Sequence, residues 1–96
     1  MLYIVNKKGE ALTNCVARAS ANDVILLIED AVFAALVTKE PSVLAALSSD
    51  VLVYALMPDI RARGIAVERC YAHIQYLDYA GFVALVEQHN PIRSCF

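Results

Sequence analysis

The chain has 96 residues, of which 59% are hydrophobic and 19% are charged, and its formal net charge at pH 7 is −2. We expect residues 1–96 to form one small domain, which buries only about 60–65% of the surface that its unfolded chain exposes. A mean hydropathy of +0.54 is therefore high for a monomer. The basic residues are scattered without interleaved aromatic residues, which argues against direct binding of nucleic acid.

The excess of apolar residues requires either a membrane or neighbouring subunits to cover it. No apolar run approaches the ~20 residues that a membrane helix needs. The first residues, MLYIVNKKGE, place the lysines after the apolar residues, which is the reverse of a signal peptide. We therefore expect a cytoplasmic subunit of an oligomer, with no membrane partner.

The first element to identify is a buried strand followed at once by a helix. Residues 24–28 form an unbroken apolar run rich in β-branched side chains, which is typical of a central strand in a parallel sheet. Glu29 and Asp30 end the run, and Asp30 is placed to cap a helix over residues 31–38. This acidic turn would lie at the carboxyl edge of the sheet, where α/β proteins usually bind ligands and partners.

The remaining pattern alternates strands and helices along the chain. Further strands are predicted over residues 2–6, 51–56 and 73–77, and further helices over residues 10–20, 43–47, 59–63 and 79–89, the last ended by Asn90-Pro91. Residues 67–71 fit either a loop or a strand, and residues 92–96 fit an extended tail or a fifth strand. This order predicts an α/β fold in three flavodoxin-like layers, with a mostly parallel sheet of four to five strands.

Four residues are placed to begin or end these helices. Ser42 and Asp78 are suited to cap the helices that follow them, and Pro58 suits a first helical position. Gly64 stands where a left-handed residue usually ends a helix.

Several kinds of chemistry find little support in the sequence. The chain has three glycines and neither a G-x-G-x-x-G motif nor a P-loop, so a nucleotide or flavin site is disfavoured. His73 and His89 are the two imidazoles, and nothing places either beside a cysteine as a hydrolase would require. Glu29 and Asp30 could act as a general acid and base, but helix capping explains Asp30 more simply.

The three cysteines, Cys15, Cys70 and Cys95, are odd in number and widely spaced. This pattern argues against a disulfide scaffold, and the two histidines do not complete the ligand spacing of a zinc site. Cys95 lies beside the end of the given sequence, where we expect a mobile and exposed thiol. For Cys70 the sequence suggests no role.

Cys15 allows two interpretations. Its position near a helix start, after Lys7 and Lys8, would favour a thiolate. However, it shares a predicted helix face with Leu12 and Val16, so a buried structural thiol is the favoured interpretation.

Four segments carry a resemblance to a known family: MLYIVNK, LLIEDAVFAAL, VYALMPDIRARGI and DYAGFVALVEQHNPIRSCF. In this order and spacing the chain resembles the DsrH/TusB family from end to end, and the two middle segments are the most specific. The resemblance implies the DsrE/F/H-like α/β layer fold. It also implies a small cytoplasmic subunit that assembles with two sister proteins, of DsrE/TusD and DsrF/TusC type, into a heterohexamer.

Complexes of this family relay sulfur as a cysteine persulfide. TusBCD passes sulfur through TusE towards 2-thiouridine at the tRNA wobble position, whereas DsrEFH works with DsrC in sulfur oxidation. The resemblance therefore implies a sulfurtransferase subunit that has a DsrC/TusE-like acceptor and needs no metal or organic cofactor. It does not decide between the two pathways.

By resemblance, Cys15 is the candidate persulfide carrier, because DsrH members often have a cysteine in the first helix and many TusB members lack it. The best-established acceptor cysteine of these complexes nevertheless belongs to the DsrE/TusD-type sister. Tyr3 stands where a histidine is common, and Cys95-Phe96 stands where members usually end in or near a tryptophan. Two alternatives remain: a non-catalytic scaffold that supports the sister's cysteine, and a stand-alone regulatory homo-oligomer.

Overall fold

A computed structural model describes residues 1–89 and 91–96. It contains one sheet of five strands: β1 (Leu2–Val5), β2 (Val24–Leu27), β3 (Leu52–Leu56), β4 (Ile74–Leu77) and β5 (Ile92–Cys95). The strands are all parallel and lie in the order β4-β3-β2-β1-β5. The sheet confirms the predicted α/β fold, and of the two alternatives for the last residues it shows a fifth strand.

The helices lie on both faces of this sheet. The α-helices are α1 (Glu10–Arg18), α2 (Met57–Ala62) and α3 (Tyr79–Gln88), and short 3₁₀ helices cover Glu29–Ala35, Val43–Ala46 and Val67–Arg69. Right-handed crossovers from β1 through β4 place the first helices on one face. The return from β4 to β5 places α3 on the other. No helix within residues 1–89 and 91–96 is long and apolar enough to cross a membrane.

Each face of the sheet has its own apolar core, because successive side chains on a strand point to opposite faces. The larger core joins Val5, Ile25 and Val53 to Leu12 of α1 and Ile60 of α2. The smaller core, on the α3 side, contains Leu2, Ile4, Val24, Leu26 and Leu85. Of the described helices, α3 alone packs on this second face, and Leu52 and Ile92 are 43% and 40% exposed.

The predicted cap at Asp30 is wrong. The helix is a 3₁₀ helix that begins one residue earlier, at Glu29, and its N-terminal cap is Ile28 without a side-chain hydrogen bond. Glu29 has a positive φ of 50°, so the chain turns sharply there and Asp30 lies inside the first turn. The helix also ends at Ala35, before the predicted residue 38, because Leu36 forms a β-bridge with Cys70.

Other predicted caps are confirmed. Ser42 Oγ accepts a hydrogen bond from the Leu44 N–H at 3.2 Å, and Asp78 Oδ1 accepts one from the Gly81 N–H at 2.7 Å. Gly64 has a φ of +66° directly after α2.

The segment over residues 67–71 is a 3₁₀ turn followed by the bridge. The last helix ends at Gln88, and the predicted stop at Asn90 lies outside the described residues.

Candidate functional site

Cys15 lies on the buried face of α1, where it packs in the larger core and is 1% exposed. The structure thus confirms the buried interpretation of this residue. Burial, which penalises the charged thiolate, is the main cause that raises the pKa of Cys15 to about 12. The Cys95 side chain raises this pKa further, by its charge and by a hydrogen bond, whereas Arg18 opposes the rise. At neutral pH the Cys15 thiol is therefore protonated.

Cys95 lies at the end of β5 and not in a mobile tail, so that expectation is wrong. The reason is strand pairing, because β5 adds to the edge of the sheet in parallel register with β1 and places Cys95 opposite Val5. The Cys95 side chain is half-buried and packs against the core that contains Cys15. Both cysteines are free thiols.

A cleft of about 320 Å³ lies between α1 and β5, and both thiols line it. It is lined by residues from both ends of the chain, namely Ala11, Asn14, Cys15, Arg18, Arg93, Ser94, Cys95 and Phe96. The sequence pointed to Cys15 but did not place Cys95 beside it. The departure from the family pattern at Cys95-Phe96 was the available signal in the sequence. Only the pairing of β5 with β1, however, shows where Cys95 lies.

Two arginines add positive charge to the cleft. Arg18 extends from the last turn of α1 and Arg93 from β5, and both are exposed. The Arg18 charge acts to lower the pKa of Cys15, although burial outweighs it. Exposed guanidinium groups beside the thiols make the cleft positively charged, which suits an anionic ligand.

The acidic turn at the carboxyl edge of the sheet forms ion pairs and hydrogen bonds. Arg63 Nε donates to Asp30 Oδ1 at 3.0 Å, and Arg63 Nη1 lies 3.5 Å from Asp59 Oδ1. Asp59 Oδ2 accepts the Glu29 backbone N–H at 2.7 Å. These contacts join the end of β2 to α2. They give Asp30 and Asp59 structural partners, so an acid–base pair of Glu29 and Asp30 gains no support.

Cys70 lies apart from this cleft, next to β4 at the opposite edge of the sheet. Its Sγ donates a hydrogen bond to the Ala66 carbonyl at 3.7 Å. Burial, together with a hydrogen bond that Tyr76 donates to Cys70, raises the pKa of Tyr76. The histidines do not line the thiol cleft, and His73 lies beside Tyr71 with ring centroids 5.8 Å apart. Among residues 1–89 and 91–96, no group of three or more His, Cys, Asp or Glu residues could hold a metal ion.

The architecture defines a class of small proteins built on an all-parallel α/β sheet. The solution structure of protein Tm0979 from Thermotoga maritima is similar, with a TM-score of 0.65 and 28% identity, over 93% of this chain and 94% of that one. The crystal structure of the YchN protein from E. coli is similar with a TM-score of 0.78 and 18% identity, over 97% of each chain. At that identity, YchN supports the fold alone.

The family follows from the sequence itself. The family model described as DsrH like protein matches residues 7–92, which is most of the chain. The chain belongs to the DsrH family, as the resemblance predicted, and is thus a member of a sulfur-relay family. No curated protein matches the sequence.

Proposed function

We propose that this chain is a subunit of a sulfur-relay complex of the DsrEFH/TusBCD type, in which Cys15 carries sulfur as a persulfide. Its family membership over residues 7–92 is the observation that carries this proposal. The cysteine in the first helix favours the DsrH side, in which sulfur oxidation uses a DsrC-like acceptor; tRNA thiolation through a TusE-like acceptor is the alternative. A cytoplasmic location is part of the proposal.

An exposed apolar surface supports assembly with sister subunits. The outer side of α3 forms a groove lined by Tyr79, Phe82, Val83, Val86 and Glu87, which we call the α3 groove. Tyr79 and Val83 are 61% and 57% exposed. Contiguous apolar side chains of this kind mark a contact surface. We propose that the two sister subunits cover apolar surface of this kind in a heterohexamer.

The relay step is thiol exchange. The Cys15 thiolate attacks the outer sulfur of a donor persulfide, the donor leaves as a thiolate, and Cys15 holds the sulfur until an acceptor thiol attacks in turn. The rate depends on the thiolate fraction and on access. Since burial and Cys95 keep Cys15 protonated in the free chain, the step requires an arrangement in which the cleft opens or a partner alters it.

A scaffold role is the second candidate, and the raised pKa of Cys15 favours it. In that role the chain would hold a sister's active cysteine in place without carrying sulfur.

Persulfide loading separates these two functions. The full chain, alone and assembled with its sister subunits, is exposed to a persulfide donor, and the intact mass of each subunit is measured. A carrier gains one sulfur atom that is lost in Cys15→Ser and kept in Cys70→Ser. No gain on this chain in either state supports the scaffold role, and a gain that survives Cys15→Ser shows that another cysteine of the chain carries the sulfur.

A further inference from the structure

The α1–β5 cleft contains two thiols, those of Cys15 and Cys95, and the sulfur-relay proposal uses only the first. They come from opposite ends of the chain, yet both line one cleft, and the Cys95 side chain packs against the core that contains Cys15. We propose that Cys15 and Cys95 form a reversible intramolecular disulfide by exchange with a low-molecular-weight disulfide that carries carboxylates. This modification is independent of whether the chain carries sulfur.

The geometry of the cleft supports this bond. A disulfide needs two Cβ atoms that lie about 3.8 Å apart and point towards each other. Cys15 and Cys95 line the same cleft, the Cys95 side chain packs against the core that contains Cys15, and β5 is held in register with β1, on which α1 packs. The bond would therefore join α1 to a strand that already lies beside it.

The exposure of the two thiols predicts the order in which they react. Cys95 is half-buried at the end of an edge strand, whereas Cys15 is buried on the inner face of α1. An incoming disulfide therefore reacts with Cys95 first, and Cys15 then attacks the mixed disulfide that forms at Cys95.

The charge of the cleft selects the reagent. Arg18 and Arg93 line the cleft beside the thiols, and both are exposed. Guanidinium groups pair well with carboxylates. A small disulfide that carries carboxylates is thus drawn to the cleft, and glutathione disulfide is a suitable probe.

The exchange proceeds in two balanced steps. In the first, the Cys95 thiolate attacks one sulfur of the small disulfide, whose S–S bond breaks, and one small thiolate leaves and takes up a proton. In the second, the Cys15 thiol gives up its proton as its sulfur attacks the Cys95 sulfur, the mixed S–S bond breaks, and the second small thiolate leaves and takes up that proton. Two protein thiols are oxidised, and one small disulfide is reduced to two thiols.

The consequence is a redox switch at the candidate carrier. The disulfide consumes both thiols of the cleft, so the oxidised chain cannot hold a persulfide at Cys15. Cytosolic disulfides are typically transient and regulatory, which suits a bond that a small thiol can reverse.

The test treats the full reduced chain with glutathione disulfide and maps its thiols by mass spectrometry without reduction. We expect a Cys15–Cys95 cross-link in the wild-type chain and in the matched control Cys70→Ser. Cys15→Ser should stop at a glutathione adduct on Cys95, and Cys95→Ser should gain no cross-link and far less adduct at Cys15.

A wild-type chain that keeps the adduct on Cys95 without cross-linking would overturn the proposal. A cross-link that uses Cys70 would do so as well. The wild-type and Cys70→Ser maps decide the matter even if a cleft variant fails to fold. Because the readout is a disulfide and not a gained sulfur, this result is distinct from that of the persulfide test.

Discussion

Cys95 and Cys15 line the same cleft between β5 and α1, and after burial Cys95 is the largest cause of the raised pKa of Cys15. Replacing Cys95 with alanine removes its charge and its hydrogen bond. We expect Cys95→Ala to lower the pKa of Cys15 but to leave it above its ordinary value of 9.0, because burial remains.

The rate at which iodoacetamide alkylates Cys15, followed by mass spectrometry as a function of pH, measures this change. Cys70→Ala serves as the control, since Cys70 lies near the opposite edge of the sheet and should leave the Cys15 profile in place. An unchanged Cys15 profile in Cys95→Ala would show that the two thiols do not interact.

The same pKa predicts a loss of stability in alkaline solution. The folded chain keeps Cys15 protonated up to about pH 12, whereas the unfolded chain ionises it near 9.0. Between these values the folded state binds more protons, so the free energy of unfolding falls as the pH rises. Burial also raises the pKa of Tyr3 and of Tyr76, which adds to the fall at higher pH.

Urea unfolding at a series of alkaline pH values measures this fall, and Cys15→Ala is the matched control. The variant should lose less stability than the wild type across the window, whatever its stability at neutral pH. Parallel curves for the two proteins would contradict the assigned pKa.

The sequence predicted the sheet well because its three inner strands, β1, β2 and β3, are apolar runs. The stretch Val24–Leu27 is completely buried and lies at the centre of the sheet, which its unbroken apolar character indicated. Local cap chemistry was also readable at Ser42 and Asp78, since a cap acts within three residues of itself.

What the sequence did not reveal depends on contacts between distant parts of the chain. Asp30 resembled a cap, but its partner is Arg63, which the fold brings to it from α2. Cys95 resembled a tail residue, because nothing local indicates that β5 adds beside β1. The thiol cleft thus depends on a strand order that no single segment encodes.

The left-handed turn after α2 gives a prediction at Gly64. Its φ of +66° is costly for a residue with a Cβ atom, although a Cβ placed there would meet no atom within 4 Å. We expect Gly64→Ala to lower the free energy of unfolding by about 1 kcal/mol through backbone strain alone. Gly64→Asn should cost less, because asparagine tolerates this conformation. Chemical denaturation of both variants provides the measurement, and equal losses would point to a cause other than backbone strain.

The α3 groove gives the last prediction, at Val83. This side chain is largely exposed in the isolated chain, so Val83→Glu should change the thermal unfolding midpoint of the free chain very little. If sister subunits cover the groove, the new carboxylate is buried without a partner and should weaken assembly at least tenfold.

Co-purification and sedimentation with the sister subunits measure assembly. Ala84→Glu, on the same helix but outside the groove lining, is the control and should assemble normally. Normal assembly of Val83→Glu would show that the partners bind another surface of the chain.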